Sequence, residues 1–265
     1  MRYIDLFPHT PAFIGMVHLR PLPGSPQYDG DWEGVVTAAL ADARALVEGG
    51  VDGLMVENFH DVPFAGDRVG PHTVAAMALL VQEVRRVATV PVGVNVLRND
   101  APAALAIAAV CGASFIRVNV HVGAMVAEPG LLVGRAHETL RYRRELGARV
   151  AIFADVLVKH AVPLGPVDLA QVAQDTAYRG LAEALIVSGG RTGQPCDPAD
   201  LRTVRAAVPD VPLLIGSGLH AGNAAELLPL ADGALVGTSL KRNGDVNQPV
   251  EVERVKALRT MFRAP

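Results

Sequence analysis

Residues 50–56, Gly-Val-Asp-Gly-Leu-Met-Val, have the pattern of a tight turn followed by a short apolar strand. The same arrangement returns at residues 112–118, Gly-Ala-Ser-Phe-Ile-Arg-Val, and at residues 231–236, Ala-Asp-Gly-Ala-Leu-Val. Each unit predicts a helix that ends, a turn of a few residues, and a strand that joins an inner sheet. This weak internal repeat indicates a fold in which strands and helices alternate.

Eight apolar runs of this kind are spread along the chain, and helical segments separate them. Their near-continuous hydrophobicity is typical of parallel strands covered by helices. Asp197-Pro198 predicts a helix start, and glycines at Gly49-Gly50, Gly112, Gly147 and Gly180 predict left-handed helix ends. The sequence therefore predicts an α/β fold, a TIM (β/α)8 barrel that forms a single domain over residues 1–265. Its strands are predicted at 13–18, 53–57, 92–96, 115–119, 150–155, 185–188, 213–216 and 234–237.

A doubly wound open sheet is the alternative architecture. No Gly-x-Gly-x-x-Gly motif follows the first predicted strand, which counts against a dinucleotide-binding sheet of that kind.

Composition excludes several classes of protein. The 265 residues include 27 acidic and 24 basic side chains, and a net charge of -3 argues against an extended surface for a nucleic acid polymer. The longest apolar stretch, residues 103–111, is far shorter than the ~20 residues that cross a bilayer, and no secretory signal is visible. We expect no transmembrane segment, a cytoplasmic location, and two reduced thiols at Cys111 and Cys196.

Polar residues follow the predicted strands, at the end of the barrel where enzymes of this fold bind their ligands. The candidate catalytic residues are Glu57, Asp155, Lys159 and His18. Glu57 and Asp155 could transfer protons, share a divalent cation, or pair with a nearby arginine or lysine. His18 could act as an acid, a base or a ligand, or could be a hydrogen-bonded packing residue.

Arg117 is expected to point into the barrel mouth, because a guanidinium that faced the helices would lose its hydration without a partner. It would hold an anion there, or form an ion pair with Glu57 or Asp155. For Lys159 we favour phosphate binding or charge stabilisation over a Schiff base, with a solvated loop lysine as the alternative. The predicted substrate-binding residues are Asn95, Arg117, Asn119, His160, Ser188 and Thr192.

Small residues follow the last two predicted strands, where barrel enzymes frequently bind phosphate. Backbone N–H groups in such turns can approach an anion closely. The predicted phosphate-binding residues are Gly216, Ser217, Gly218, Gly237, Thr238 and Ser239. The glycine-rich loop at residues 188–193 could close over the ligand.

Three further segments carry a family resemblance. Residues 13–26, Phe-Ile-Gly-Met-Val-His-Leu-Arg-Pro-Leu-Pro-Gly-Ser-Pro, together with Val-Glu-Asn-Phe at 56–59 and Asp-Val-Leu-Val-Lys-His-Ala at 155–161, resemble the BtpA family. The likeness continues through Ser188-Gly189 and residues 215–218, so it covers nearly the whole chain.

The resemblance implies a TIM-like barrel related to phosphate-binding barrels. The family takes its name from a cyanobacterial protein associated with photosystem I biogenesis or stability. It also has relatives in organisms without photosystems, including an enteric member encoded among sugar-uptake genes.

The residues and the resemblance together lead to two expectations about function. The first is a cytoplasmic enzyme that acts on a small phosphorylated compound, a sugar phosphate or nucleotide-like molecule, as an isomerase, a lyase or an enzyme of glycosyl-bond cleavage. The alternative is a non-catalytic biogenesis or stability factor for photosystem I or another membrane complex. The cofactor is left open, with a divalent cation as one option, and the apolar outer helices are compatible with a homo-oligomer.

Overall fold

A computed structural model describes residues 1–262 of the chain, and it contains eleven strands in that range. They are β1 Ala12–His18, β2 Gly53–Glu57, β3 Val92–Asn95, β4 Phe115–Val118, β5 Ala124–Ala127, β6 Gly130–Val133, β7 Ala151–Asp155, β8 Ala161–Pro163, β9 Ala184–Val187, β10 Leu213–Ile215 and β11 Gly233–Val236. Eight of them close a parallel barrel in the order β1-β2-β3-β4-β7-β9-β10-β11, with β11 paired to β1. The predicted barrel is confirmed, and every predicted strand matches a barrel strand to within one or two residues.

Helices cover the outside of the barrel, except for the first, which lies at its amino-terminal end. They are α1 Tyr3–Leu6, α2 Trp32–Gly49, α3 Pro71–Val87, α4 Ala101–Cys111, α5 Ala136–Glu145, α6 Leu169–Gln174, α7 Pro198–Ala207, α8 Ala224–Leu227 and α9 Val252–Phe262. The predicted start at Asp197 is confirmed, because its side chain accepts a hydrogen bond from the backbone N–H of Ala199 at the start of α7. Within residues 1–262, the helices fall short of the length and apolarity that a membrane crossing requires.

One predicted helix end is wrong in its geometry. Gly50 and Gly112 adopt the predicted left-handed conformation after α2 and α4, with φ of 90° and 68°. Gly180 has a φ of -79° and follows a π-helical turn at Asp175–Arg179. A Cβ at Gly180 would press against the backbone of Thr176 and the ring of His121, so this glycine serves close packing instead of a left-handed cap.

A small antiparallel sheet, in the order β6-β5-β8, was not predicted from the sequence. Its strands are three or four residues long and lie in the connections that follow β4 and β7. Segments of that length carry too little periodicity to identify them as strands. The sheet packs on a minor core of Val120, Met125, Leu132 and Val158.

The barrel interior is filled by its own apolar cluster. Phe115 and Phe153 stack with ring centroids 4.7 Å apart. Tyr3 and Phe7, from the short N-terminal helix and the residue after it, pack against the same two rings and close the amino-terminal end of the barrel. A larger cluster lies between the strands and the outer helices.

Side-chain alternation along the strands explains why polar residues gather at the other end. In β4, Phe115 belongs to the inner cluster, whereas Ile116 and Val118 pack under the helices, so Arg117 points inward two residues after Phe115. In β7, Asp155 likewise follows the inward-facing Phe153 by two residues, so it also points inward. The same spacing also sets the other inward positions at the carboxyl ends, which are His18, Glu57, Asn95, Ser188, Gly216 and Gly237.

Candidate active site

A cavity of about 720 Å³ opens at the carboxyl ends of the barrel strands. This volume lies within the range of small-molecule sites. Six predicted site residues line it: Glu57, Arg117, Asn119, Lys159, His160 and Thr192. A smaller recess of about 20 Å³ lies beside it, and Arg117, Lys159 and Thr192 line both. The recess is completed by six other predicted residues: His18, Gly216, Ser217, Gly218, Gly237 and Thr238.

Four predicted residues lie elsewhere. Ser239 borders a neighbouring hollow of about 210 Å³. Asn95, Asp155 and Ser188 lie behind the cavity wall, where they contact the residues that line it. The structure therefore brings most of the predicted residues to one site. Asn95, Asp155 and Ser188 are set back from the cavity surface, behind the residues that would contact a ligand.

Arg117 and Asp155 form a buried ion pair at the base of the cavity. Arg117 donates from Nε and Nη2 to the two carboxylate oxygens, at 2.9 Å and 2.8 Å. Asn119 Nδ2 and Ser188 Oγ donate to the same carboxylate at 3.1 Å and 3.2 Å. Because both oxygens of Asp155 are occupied, its arrangement suits the positioning of Arg117 and Asn119 and not the predicted proton transfer.

Glu57 is buried, but its carboxylate is less occupied than that of Asp155. One oxygen accepts a hydrogen bond from Asn95 Nδ2 at 2.5 Å, and the other lies 3.9 Å from His18 Nε2. The side chain also lines the large cavity. Of the two acidic side chains at the strand ends, Glu57 and Asp155, Glu57 thus faces the cavity and keeps one oxygen free to exchange a proton with a ligand.

His18 carries a neutral imidazole at the inner edge of the site. Burial lowers its pKa well below the usual value, and the charges of Lys241 and Lys159 lower this pKa further. The ring stacks on Phe59 at a centroid distance of 4.3 Å. Within residues 1–262, its Nδ1 is buried without a hydrogen-bond partner. A neutral ring can orient a substrate through a hydrogen bond but cannot contribute a positive charge.

Lys159 lines both the cavity and the recess. Burial lowers the pKa of its amine to about 8, and the neighbouring charge of Arg117 lowers this pKa as well, whereas Glu57 and Asp155 act in the opposite direction. Its amine forms no ion pair or hydrogen bond with any of residues 1–262. The site therefore contains an amine that is neutral in part near physiological pH.

Lys159→Met is expected to increase the free energy of unfolding by roughly 1 to 3 kcal/mol at pH 7, because folding places a charged amine in a site that disfavours the charge. The folded pKa of about 8 lies below the ordinary value of 10.5, so the unfolded chain binds more protons between these two values. The wild-type stability should accordingly rise with pH in this window, and the advantage of the variant should disappear above it.

Urea unfolding of both proteins at pH 7 and near pH 10.5 measures this difference, with Lys256→Met as the control for an exposed lysine. A variant that is less stable than the wild type at pH 7 would contradict the expected cost of the Lys159 charge.

The loops after β10 and β11 present free backbone amides. Within residues 1–262, the N–H groups of Ser217, Gly218, Leu219, Thr238 and Ser239 donate no hydrogen bond to the backbone. Most of these residues line the recess or the adjoining hollow. Unpaired amides from two neighbouring loops are the donors that an anion requires.

The small side chains of these loops have a second purpose that the sequence does not reveal. A Cβ at Gly218, whose φ is 69°, would collide with the backbone of Gln194 and Pro195. A Cβ at Gly237 would press against the ring of His18. Ser217 Oγ accepts a hydrogen bond from Gly189 N at 2.9 Å and donates one to the carbonyl of Gln194 at 3.0 Å. These residues therefore hold the loops together in addition to exposing their amides.

The predicted closing loop at residues 188–193 contacts the segment that follows β7. The backbone N–H of Thr192 donates to His160 Nε2 at 3.0 Å, which places the proton of the neutral ring on Nδ1. His160 N donates in turn to the carbonyl of Gly190 at 3.0 Å. The loop is thus fixed over one side of the mouth through His160.

Several residues that line the cavity are not among the site residues predicted from the sequence, and Arg98 is the most important of them. It is buried, its Nη2 donates to the carbonyl of Lys159 at 2.5 Å, and its Nε lies 3.5 Å from Glu128 Oε1. Arg98 follows β3 by three residues, so a wider search beyond each strand end would have found it. Glu128 lies in the turn between β5 and β6, and no sequence pattern indicates that hairpin.

The residues do not fit the option of a divalent cation shared by Glu57 and Asp155. Arg117, Asn119 and Ser188 already donate to the Asp155 carboxylate. Over the described range, residues 1–262, no group of three or more His, Cys, Asp or Glu side chains is arranged to hold a metal ion.

Comparison with known proteins agrees with this architecture. A model of the BtpA family matches residues 9–263. The Photosystem I biogenesis protein BtpA of Synechocystis sp. is 49% identical over 258 residues, which cover 96% of this chain and 90% of that protein. A protein of Thermococcus kodakarensis is 47% identical over 247 residues, which cover 92% of each chain.

Among solved structures, N-(5'-phosphoribosyl)anthranilate isomerase from Pyrococcus furiosus has the same fold, with a TM-score of 0.56 at 14% identity over 95% of this chain and 98% of that one. This likeness concerns the fold alone, whereas the family match and the sequence identities extend over nearly the whole chain. The chain belongs to the BtpA family.

Proposed function

We propose that the chain is an enzyme that acts on a small phosphorylated compound, a sugar phosphate or a nucleotide-like molecule. The observation that carries the proposal is that the free amides of the β10 and β11 loops line the recess and the adjoining hollow of about 210 Å³, and that Arg117 and Lys159 line the recess. Backbone donors combined with positive side chains favour an anion at this place. The phosphate would bind to residues 216–218 and 237–239.

The large cavity would hold the rest of the substrate. From the recess it extends to Glu57, Asn119 and His60. Asn119 Oδ1 is buried, and no hydrogen bond from residues 1–262 reaches it. A substrate hydroxyl could donate to that oxygen, because buried polar atoms without a partner are costly unless a ligand or water satisfies them.

Glu57 would transfer the proton in the reaction. Asn95 orients one of its oxygens, and the cavity side is open to a substrate. His18 would orient the substrate as a neutral hydrogen-bonding group, and Arg117 would stabilise developing negative charge while Asp155 holds the guanidinium in place. Isomerase, lyase and glycosyl-bond cleavage reactions all use a proton transfer of this type.

Thermal unfolding with added ligands tests this proposal. Ribose 5-phosphate, dihydroxyacetone phosphate and nucleoside monophosphates are compared with their unphosphorylated counterparts. A phosphorylated ligand at ~100 times its dissociation constant is expected to add about 2.7 kcal/mol to the free energy of unfolding, because it binds only the folded state.

Thr238→Asp against Thr238→Asn is the matched pair of variants, since the Thr238 side chain is half-buried and forms no hydrogen bond with residues 1–262. The charged variant should lose the stabilisation and the neutral variant should keep most of it. Equal stabilisation by phosphorylated and unphosphorylated compounds, or no effect of the added charge, would argue against a phosphate at these loops.

A second candidate function is supported by the name of the Synechocystis relative and by an exposed apolar surface. On or directly after the small sheet, several large apolar side chains are exposed: Val126, Leu131, Val133, Val162, Leu164 and Val167. Such a patch is typical of a surface that binds another protein or a second copy of the chain. A biogenesis or stability factor would depend on this surface, or on residues 21–26, and would tolerate Glu57→Gln.

A further inference from the structure

The chain contains three lysines, Lys159, Lys241 and Lys256, and arginine supplies the remainder of its 24 basic side chains. Lys241 is buried and pairs with Asp42 at 2.5 Å, and Lys256 pairs with Glu253 at 3.0 Å on the surface. Lys159 differs from both, because no carboxylate within residues 1–262 pairs with its amine. An unpaired lysine in a cavity is better suited to chemistry than to structural support.

We propose that Lys159 forms a Schiff base with the carbonyl carbon of a phosphorylated aldehyde or ketone. The proposal rests on the proposed function for the phosphate and adds a covalent step to it. Its basis is position: Lys159 lines both the recess with the free amides and the cavity with Glu57, so this one residue borders the place proposed for the phosphate and the place proposed for proton transfer.

The backbone of Lys159 is held on both sides. Its carbonyl accepts a hydrogen bond from Arg98, and the next residue, His160, is tied to Gly190 and Thr192. The Lys159 side chain borders the same two spaces as Arg117, and the fixed backbone limits the conformations from which its amine reaches them. Such preorganisation lowers the entropic cost of attack on a bound carbonyl.

Burial favours the neutral amine that the reaction needs, because it removes the water that would hydrate an ammonium. The positive charges of Arg117 and Arg98 act in the same direction, whereas the carboxylates of Glu57 and Asp155 oppose it. With a pKa of about 8, about one tenth of the amine is neutral at pH 7, against less than about one in a thousand for an ordinary lysine.

The step balances without an oxidant or a reductant. The Nζ lone pair attacks the carbonyl carbon, a C–N bond forms, and the electron pair of the C=O π bond moves to oxygen. A proton passes from nitrogen to that oxygen to give a carbinolamine, and Glu57 in its acid form supplies a second proton to the hydroxyl. The C–O bond then breaks, water leaves, and the nitrogen lone pair forms the C=N bond of the protonated imine.

The reaction class follows from this intermediate. A protonated imine withdraws electrons from the neighbouring carbon, so it assists loss of a proton or cleavage of a carbon–carbon bond at that position. The Glu57 carboxylate left by the dehydration could then accept the proton. Schiff-base chemistry at Lys159 therefore favours an isomerase or a lyase over glycosyl-bond cleavage.

Reductive trapping tests the proposal. The full chain is incubated with dihydroxyacetone phosphate or ribose 5-phosphate, reduced with sodium cyanoborohydride, digested and mapped by mass spectrometry. The expected result is an adduct on Lys159, with Lys241 and Lys256 as internal controls that stay unmodified. Dihydroxyacetone and ribose, which lack the phosphate, should give about tenfold less adduct at the same concentration, because they lose the binding that places the carbonyl near the amine.

Lys159→Arg, which keeps the positive charge, should remove the adduct, and Glu57→Gln should slow its formation. Mapping of the adduct in the wild-type protein remains decisive even if the arginine variant fails to fold. Equal labelling of all three lysines, or labelling that does not depend on the phosphate, would overturn the proposal.

The thermal unfolding measured with the same compounds separates this proposal from the proposed function. Stabilisation by a phosphorylated carbonyl compound without an adduct on Lys159 would overturn the Schiff base and leave phosphate binding intact. The absence of both stabilisation and adduct would overturn both.

Discussion

Arg117→Met is expected to lower the free energy of unfolding by about 3 to 5 kcal/mol, because it leaves the buried Asp155 carboxylate without its positive partner. Both side chains are almost fully inaccessible to solvent, and the two hydrogen bonds between them are 2.9 Å and 2.8 Å long. Asn119 and Ser188 would still donate to Asp155, but neither supplies a positive charge. Chemical unfolding in urea measures the loss.

Two further variants show whether the loss arises from the unpaired carboxylate. Arg117→Met combined with Asp155→Leu should be more stable than Arg117→Met alone, since the double variant removes both charges. Arg254→Met, which breaks the exposed pair with Glu251 at 3.2 Å, should cost less than about 1 kcal/mol. If Arg117→Met cost no more than Arg254→Met, the buried pair with Asp155 would not stabilise the fold more than an exposed pair does.

Glu57→Gln is expected to lower turnover by about 10² to 10⁴-fold while ligand binding is retained. The amide keeps the shape of the side chain, and its oxygen can still accept the hydrogen bond from Asn95, but it cannot exchange a proton. The kcat is measured with the phosphorylated compound that gives the largest thermal stabilisation.

Glu128→Gln is the matched control for this substitution. Glu128 also lines the cavity, but it is partly exposed and pairs with Arg98 at 3.5 Å. Its replacement should lower kcat far less than Glu57→Gln does. A wild-type kcat in Glu57→Gln would show that Glu57 does not transfer the proton. It would favour the second candidate function, a biogenesis or stability factor.

The barrel could be predicted from the sequence because each strand is buried on both faces. Burial on both faces produces continuous apolar runs such as those of β2 and β7, and these runs are visible without any knowledge of their neighbours. The polar ends were predictable for the same reason, since residues such as Glu57 and Arg117 interrupt or end an apolar run. Side-chain alternation then places them inside the barrel mouth.

The partners of these side chains were not predictable. From the sequence, the partner of Arg117 could be a bound anion, Glu57 or Asp155. In the structure Arg117 pairs with Asp155, because β4 and β7 are adjacent in the barrel. The choice depends on the order of strands around the closed sheet, and here the small-sheet strands β5 and β6 intervene between the two in the chain.

The amine of Lys159 illustrates a second limit of sequence-based prediction. From its position four residues beyond Asp155, the sequence favours phosphate binding or charge stabilisation over a Schiff base, with a solvated loop lysine as the alternative. The structure shows the segment held by Arg98, Gly190 and Thr192, all distant in sequence, and burial lowers the pKa of the amine. Burial that arises from separate segments of the chain leaves no local pattern.

The amide resonances of Ser217, Gly218, Leu219, Thr238 and Ser239 provide the most direct test of phosphate binding at the barrel mouth. Their chemical shifts are followed by NMR as ribose 5-phosphate is added to the full chain, with ribose as the control. We predict that these amides shift together and saturate with the phosphorylated sugar, because they would donate hydrogen bonds to its phosphate. Unchanged shifts at these five amides, with changes confined to other parts of the chain, would contradict the proposed site.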